Sequence, residues 1–391
     1  MKLKLEKILY ASILFQIIAT QGILVFLMFN FLGNWELKKL VHPVSFFLIL
    51  LFFVFKAKKG FLITQVDIIF FGYFSLLFIL LLYNASSLQS VYFAFRELFW
   101  LFILVFIFAQ TELNQKQYNK VLNLIFYLVI INIVFIGLTY VLGSEKYMKL
   151  LTGRYQWGID DDYKFKITTF YKFWRSPALI GNAASVGYFG LFAYFLMDTQ
   201  VKFKYKKYFA IVLIICSFVR SVYLAIFIYE FLKFITKKKY LKIIVLVFKI
   251  LIPVLILVSF FLSKYNIFSI SSLSERIKLW TNNINVEYNL IFGGAIGKVG
   301  GAVRDAGFVS VLDSYWLLIL LSSGFLGIII SSLFIFEKSK KTNKFLFILL
   351  GLSFAGFFVS LTQSIVFLVL FPMLFITIKE NSSELDTNED T

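Results

Sequence analysis

Long stretches without a single charge constrain this chain more than anything else in it: 8–32, 121–144, 314–336 and 345–378 contain no Asp, Glu, Lys or Arg. A helix crossing a bilayer needs about 20 mostly apolar residues, and in hydrocarbon it must satisfy its own backbone N–H and C=O groups. Sixty per cent of the residues are hydrophobic and only 15% charged, whereas soluble domains carry about 25% charged residues. Water cannot cover so much apolar surface, so lipid must.

The expected fold is therefore an all-α polytopic membrane protein with about 12 spans. The expected spans are 8–32, 40–55, 62–83, 91–109, 121–142, 183–198, 208–220, 221–236, 241–262, 314–336, 345–361 and 363–378. Residues 1–379 then form one membrane domain, followed by an acidic, disordered tail, 380–391. The basic start is followed by no small-residue cleavage site, so the first helix is read as retained.

Lysine sets the orientation, because cytoplasmic loops carry an excess of basic residues. Lys2/Lys4/Lys7, Lys56/Lys58/Lys59, Lys202/Lys204/Lys206/Lys207, Lys237/Lys238/Lys239 and Lys338/Lys340/Lys341/Lys344 all fall on one side in this arrangement. That side is the cytoplasm, and both termini lie there. Two long polar segments, 143–182 and 263–313, fall outside as large loops, and loops of that length usually serve a function.

Arginine behaves differently. All six, Arg96, Arg154, Arg175, Arg220, Arg276 and Arg304, fall on the outer side or at the outer end of a span. A guanidinium presents a planar fork that holds phosphate through two parallel hydrogen bonds. An outward arginine set points to an anionic, phosphorylated, lipid-linked ligand, or else to pairing with loop carboxylates such as Asp160 to Asp162 or Asp305. Span interiors otherwise hold little charge: Arg220, Lys249 and Asp67.

Other chemistries are excluded or left open by the residues. Cys216 is the sole cysteine and His42, beside Pro43, the sole histidine, so no disulfide, no thiolate or histidine metal cluster and no cofactor is expected. The net charge of +18 is scattered in short clusters between apolar runs, which does not suit nucleic acid. Gly293 to Gly301 reads as a phosphate-facing backbone or a plain turn. Tyr155, Trp157, Tyr171 and Trp174 read as sugar-stacking platforms or as an interfacial aromatic belt.

Three segments, taken in order, carry a resemblance. They are Arg175-Ser-Pro-Ala-Leu-Ile-Gly-Asn182; Ser217-Phe-Val-Arg220-Ser221; and Glu275-Arg276-Ile-Lys-Leu-Trp280, continued by Phe292-Gly-Gly-Ala-Ile-Gly297, Asp313-Ser-Tyr-Trp-Leu317 and Gly324-Phe-Leu-Gly327. Together they resemble the O-antigen ligase and polymerase (Wzy) superfamily over about 175–330. There a Ser-x-x-Arg-Ser-like step precedes a large external loop that opens with an Arg…Trp pair.

The resemblance implies a metal-independent glycosyltransferase that polymerises undecaprenyl-diphosphate-linked repeat units into a capsule, exopolysaccharide or O-antigen. It works at the outer face of the cytoplasmic membrane. A chain-length regulator and a flippase are the protein partners to look for. By motif position Arg220 and Arg276 are the diphosphate ligands, with Arg175, Arg304, Asn182 and Trp280 as further substrate-binding residues. Asp313 stands where ligases of the family have histidine, so it is the candidate base, or alternatively a cap for the following helix. That departure favours a polymerase over an O-antigen ligase acting on lipid A core. A lipid-linked oligosaccharide flippase is the rival from another class.

Overall fold

The structure, a computed structural model, describes residues 2–32, 60–152, 169–170, 173–236, 287–300, 314–339 and 342–379, with 47, 50, 54, 278, 280 and 281 as single positions. Arg154, Arg276, Arg304, Asp313, Asp160 to Asp162, His42, Lys249, the spans 241–262 and nearly all of 40–55, and the tail 380–391 lie outside the described residues.

The chain is mostly helical. In order, the elements are α1 (Lys2–Ala19), α2 (Gly22–Phe31), α3 (Gln65–Asn84), α4 (Leu88–Leu98), α5 (Trp100–Ala109), β1 (Glu112–Asn114), α6 (Gln115–Leu142) and α7 (Ser144–Thr152). There follow β2 (Thr169–Phe170), β3 (Phe173–Trp174), α8 (Ala183–Asp198), α9 (Lys207–Ser217), α10 (Arg220–Ile235), α11 (Tyr315–Lys338), α12 (Asn343–Gly356), α13 (Ile365–Met373) and β4 (Thr377–Lys379). Single-turn 3₁₀ helices occur at Val201–Phe203 and Leu361–Gln363.

Among the described residues, α3, α6 and α11 are each long and apolar enough to cross a membrane, and the pairs α1–α2 and α4–α5 bring the number to five if each pair is one span. The twelve expected are not confirmed by these, and two of them, 241–262 and nearly all of 40–55, lie outside the described residues. α3 shows why lipid is the medium. Phe70, Phe74, Leu77 and Leu81 recur at helical spacing and are buried, yet the opposite face carries Ile68, Leu76 and Ile79, each more than 60% exposed. A helix apolar all round that is covered on one side only has its other side in hydrocarbon.

The chain divides into two compact units, unit one (1–63, 101–222 and 364–391) and unit two (64–100 and 223–363). In unit one α8 is the central helix, with every residue from Val186 to Met197 buried. It runs antiparallel to α9, because Lys207 at the start of α9 pairs with Asp198 at the end of α8. At the other end a Cβ on Gly187 would come within 2.8 Å of Ser217 Oγ. Gly187 and Gly190 are what let the two backbones approach, the usual role of small residues between helices in lipid.

The first span, expected as one helix over 8–32, is bent by 98° between Ala19 and Gly22. Thr20 Oγ1 donates back to Ile17 O at 2.6 Å, and Gln21 turns inward so that its Oε1 accepts from Asn132 Nδ2 at 2.7 Å. The last span, expected over 363–378, holds only the short α13. Pro372 lacks an N–H to continue it, and the chain then runs into β4, which pairs in parallel with β1.

In unit two α3 and α11 lie antiparallel, Phe70 stacking on Phe334 with centroids 4.1 Å apart. Asp67, expected as a charge inside a span, sits in the first turn of α3. Its Oδ2 accepts from Thr64 N at 2.9 Å and from Lys338 Nζ at 2.7 Å. A capping box and an ion pair thus close one end of this helix pair.

The Asp67 and Lys338 side chains are 0% and 8% exposed, and a buried ion pair that loses one partner leaves an uncompensated charge. Asp67→Ala is therefore expected to destabilise the detergent-purified protein by about 3–5 kcal/mol, whereas replacing both partners (Asp67→Leu with Lys338→Met) recovers most of that. Thermal unfolding of the three proteins measures it. An Asp67→Ala protein as stable as the unsubstituted one contradicts the assignment.

Candidate functional site

The polar groups that gather in unit one do so at one end. α6 starts beside α8's end, where Gln115 Nε2 donates to Gln200 Oε1 at 3.2 Å, and Lys206 Nζ donates to Asn123 Oδ1 at 2.9 Å. That end is rich in lysine: Lys116, Lys120, Lys202, Lys204, Lys206 and Lys207. The opposite end receives the C-terminal turns of α6, the segment 173–182, the start of α8 and the α9–α10 junction.

The segment 173–182 was expected within a long external loop. Instead its second half runs into the unit. Ser176 Oγ lies 2.7 Å from Thr139 Oγ1, and Leu179 N donates to Asn132 Oδ1 at 3.0 Å. Thr139 and Asn132 are about 10 Å apart along α6, so the backbone descends two helical turns. Ser176, Ala178, Leu179 and Ile180 are all buried.

Further contacts hold the segment there. Ile23 N donates to Leu179 O at 2.8 Å. Tyr147 of α7 donates from its hydroxyl to Ala178 O at 3.0 Å, and burial pushes that phenol above its usual range. Gly22 is needed here, because a Cβ would sit 2.8 Å from Ile180 O.

This re-entrant segment carries Arg175 at its mouth. Tyr140 OH donates to Trp174 O at 2.8 Å, and the Phe173 ring stacks on Phe218 with centroids 5.4 Å apart and planes 16° apart. Phe218 belongs to the Ser217–Ser221 step. It adopts a left-handed conformation (φ 51°) that ends α9, and α10 begins at Arg220. The boundary expected between spans at 220/221 is thus a true helix break. Arg220 is not inside a span but exposed at a helix start. Two sequence-selected arginines, Arg175 and Arg220, each two residues from a ring of the Phe173–Phe218 stack, lie at the end of unit one that faces away from Lys202–Lys207.

The residues beside them were not foreseen. Ser185 Oγ lies 3.2 Å from Ser364 Oγ, and Tyr188 OH lies 3.2 Å from Ser221 Oγ. Hydroxyls have no spacing signature, and only Ser221 fell inside a recognised motif. Asn182, expected to bind substrate, caps α8, its Oδ1 accepting from Ala184 N at 2.8 Å and from Ser185 N at 3.4 Å.

Of the other selected residues, the described ones, Trp280 and Arg96, lie in unit two. Trp280 is half-buried there, and the Arg96 guanidinium lies 5.2 Å over the Phe93 ring. Helix α11 is capped by Ser314, whose Oγ accepts from Leu317 N at 3.3 Å, so the capping role considered for Asp313 belongs to its neighbour.

The glycine stretch 293–301 is no open phosphate cradle over its described part. Gly293, Gly294 and Ala295 donate their N–H groups to Asn289, Ser322 and Leu321 carbonyls. They do so because Gly324 (φ 65°) breaks α11 roughly 14 Å from its start. Phe325 N and Leu326 N, freed by the break, donate to Leu290 O and Ile291 O at 3.0 Å. Tyr73 OH donates to Ser323 O at 2.6 Å, and Asn84 Nδ2 to Gly294 O and Ile296 O at 3.0 Å each. This second re-entrant loop mends a discontinuous helix.

Asn132 holds both Gln21 and Leu179, all in buried surroundings. Asn132→Leu leaves the Leu179 N–H and Gln21 Oε1 without partners, and a loss of about 2–4 kcal/mol is expected. Limited proteolysis should then cut near 173–182 faster than in the unsubstituted protein, and unchanged cleavage contradicts the anchoring role.

No protein-family model, no curated protein and no solved structure matches this chain. The functional reading therefore rests on the residues themselves.

Proposed function

We propose that this protein is a membrane-embedded glycosyltransferase that polymerises lipid-diphosphate-linked oligosaccharide units at the outer face of the cytoplasmic membrane, with both termini inside. The observation that carries the reading is the placement of Arg175 and Arg220 on either side of the Phe173–Phe218 stack, at the end of unit one opposite Lys202–Lys207. Among the described residues of unit one, arginine occurs only at the end away from Lys202–Lys207, and this calls for a cause beyond topology, since the inside rule applies to lysine and arginine alike.

In the proposed reaction the acceptor sugar's hydroxyl oxygen bonds to the anomeric carbon of the growing chain. The bond from that carbon to the diphosphate oxygen breaks, and the lipid diphosphate leaves with the electron pair. A base takes the hydroxyl proton, the role proposed for Asp313. Negative charge builds on the diphosphate as the bond breaks, and guanidinium groups in a water-poor setting stabilise it. Arg220, supported by Arg175 and the Ser221 hydroxyl, is assigned that task; Arg276 is proposed for diphosphate binding by its motif position alone.

Purified protein incubated with lipid-linked repeat units should give a ladder of longer products. Arg220→Ala is expected to lower the rate by about 10²–10³-fold, and Arg220→Lys to rescue it poorly, because an ammonium lacks the bidentate fork. A ladder undiminished in Arg220→Ala refutes the assignment.

Sidedness gives an independent check. In a Cys216→Ala background, a cysteine replacing Arg175 should react with a membrane-impermeant maleimide in whole cells, while one replacing Lys204 should react only after lysis. The reverse pattern would falsify the outward reading.

A transporter of the same lipid-linked glycan is the second reading. It is favoured by the bend at Thr20–Gln21 and the break at Gly324, since discontinuous helices are common at transport sites. It predicts unit-length lipid-linked glycan retained inside when the protein is absent, with no ladder from the purified protein.

A further inference from the structure

The last strand of unit one runs to a place where charge is unbalanced. β4 pairs in parallel with β1, Lys379 lying opposite Asn114, so the chain after Lys379 leaves abreast of Gln115, the first residue of α6. The Gln115 side chain is fixed to that of Gln200, and Gln200 opens the turn that carries Lys202 and Lys204 towards α9. Lys116 and Lys120 stand on the first two turns of α6, roughly 1.5 and 7.5 Å along its axis from Gln115.

Lys116, Lys120, Lys202, Lys204 and Lys379 are all exposed, and none has an acidic partner among the described residues. Lys206 adds a sixth ammonium, which donates to a neutral group, Asn123 Oδ1. The carboxylates described on these same segments are Glu112 and Asp198, and Asp198 is held by Lys207. Six ammonium groups thus meet one unpaired carboxylate, and like charges gathered on one face repel. The bias of lysine towards the inner side explains why the charges are there, but not what balances them.

We propose that the acidic segment 380–391 covers this lysine face. It holds Glu380, Glu384, Asp386, Glu389 and Asp390 and no basic residue, so together with Glu112 it matches the six ammonium groups. Twelve residues reach up to about 40 Å when extended, far more than the face requires. The strand pair delivers the segment to its place, and tethering raises its effective concentration there, so exposed ion pairs that are weak singly act together. Anionic lipid headgroups reach these lysines only by displacing the segment. The proposal concerns the end of unit one opposite Arg175 and Arg220, and it does not rest on the glycosyltransferase reading.

The test is the acetylation rate of individual lysines, read by mass spectrometry on the full-length protein in non-ionic detergent at low ionic strength. Lys298, an exposed lysine of unit two, is the reference. Glu380→Gln, Glu384→Gln, Asp386→Asn, Glu389→Gln and Asp390→Asn together should raise the rates at Lys116, Lys120, Lys202 and Lys204 by about threefold and leave Lys298 unchanged. High salt should bring the unsubstituted protein to the same rates, because it screens exposed charges. In a Cys216→Ala background, Tyr205→Cys with Thr387→Cys should form a disulfide on mild oxidation, more slowly in high salt. Equal rates in the neutralised and unsubstituted proteins overturn the proposal, as does the absence of that disulfide. Protection that appears only on adding anionic phospholipid vesicles, and equally in both proteins, assigns the face to lipid and overturns it too.

Discussion

The need to satisfy every backbone polar group away from water governs this structure. A straight apolar helix meets that need by itself, and α3 and α6 do so. Wherever the chain departs from a straight helix, another segment must supply the missing partners. At Gly324 the freed N–H groups of Phe325 and Leu326 and the carbonyls of Leu321 and Ser322 are taken up by 290–295. At Thr20–Gly22 the partners are Leu179 and, through its side chain, Asn132. The two re-entrant segments are thus the complements of the two broken helices. Neither half of such a pair can form without the other, which ties loop geometry to helix packing in each unit.

This pairing also explains what could be read from the sequence. Apolar runs located α3, α8 and α11 to within about three residues and the end of α6, which starts six residues before the expected 121, because transfer of apolar side chains to lipid depends on composition and length alone. The Ser217–Ser221 step was legible too, since a charged residue between two apolar runs marks a boundary. The bend at Thr20–Gln21 was not. Its cause is a hydrogen bond from Asn132, 111 positions away, and one glutamine in an apolar run carries no sign of where its partner lies. Likewise 176–181 and 289–297 looked like pieces of external loops because they are short and lie within long polar segments, while their placement is dictated by breaks elsewhere. The run 363–378 was apolar enough to span, but Pro372 and the pairing of β4 with β1 use it otherwise.

For the candidate site the sequence revealed the charges and missed the hydroxyls. Arg175 and Arg220 stood out because arginine is rare here and segregated. Ser185, Tyr188 and Ser364 did not, since serine and tyrosine occur throughout and only the fold gathers them. Asn182 was selected by position within a motif, and its oxygen is taken by the start of α8.

The electrostatics of the α9–α10 junction sharpen the case for an anionic ligand. A helix start carries the equivalent of about half a positive charge, so cations are ordinarily favoured at the other end. Arg220 stands at the start of α10, and its guanidinium adds to that positive end instead of opposing it. Arg175 approaches the same junction through the Phe173–Phe218 stack. A guanidinium at a positive helix start favours negative charge brought to it, which is the property the proposed site needs if it is to favour a departing diphosphate over a neutral sugar. A lysine would supply the charge but not the planar fork that fixes two phosphate oxygens at once.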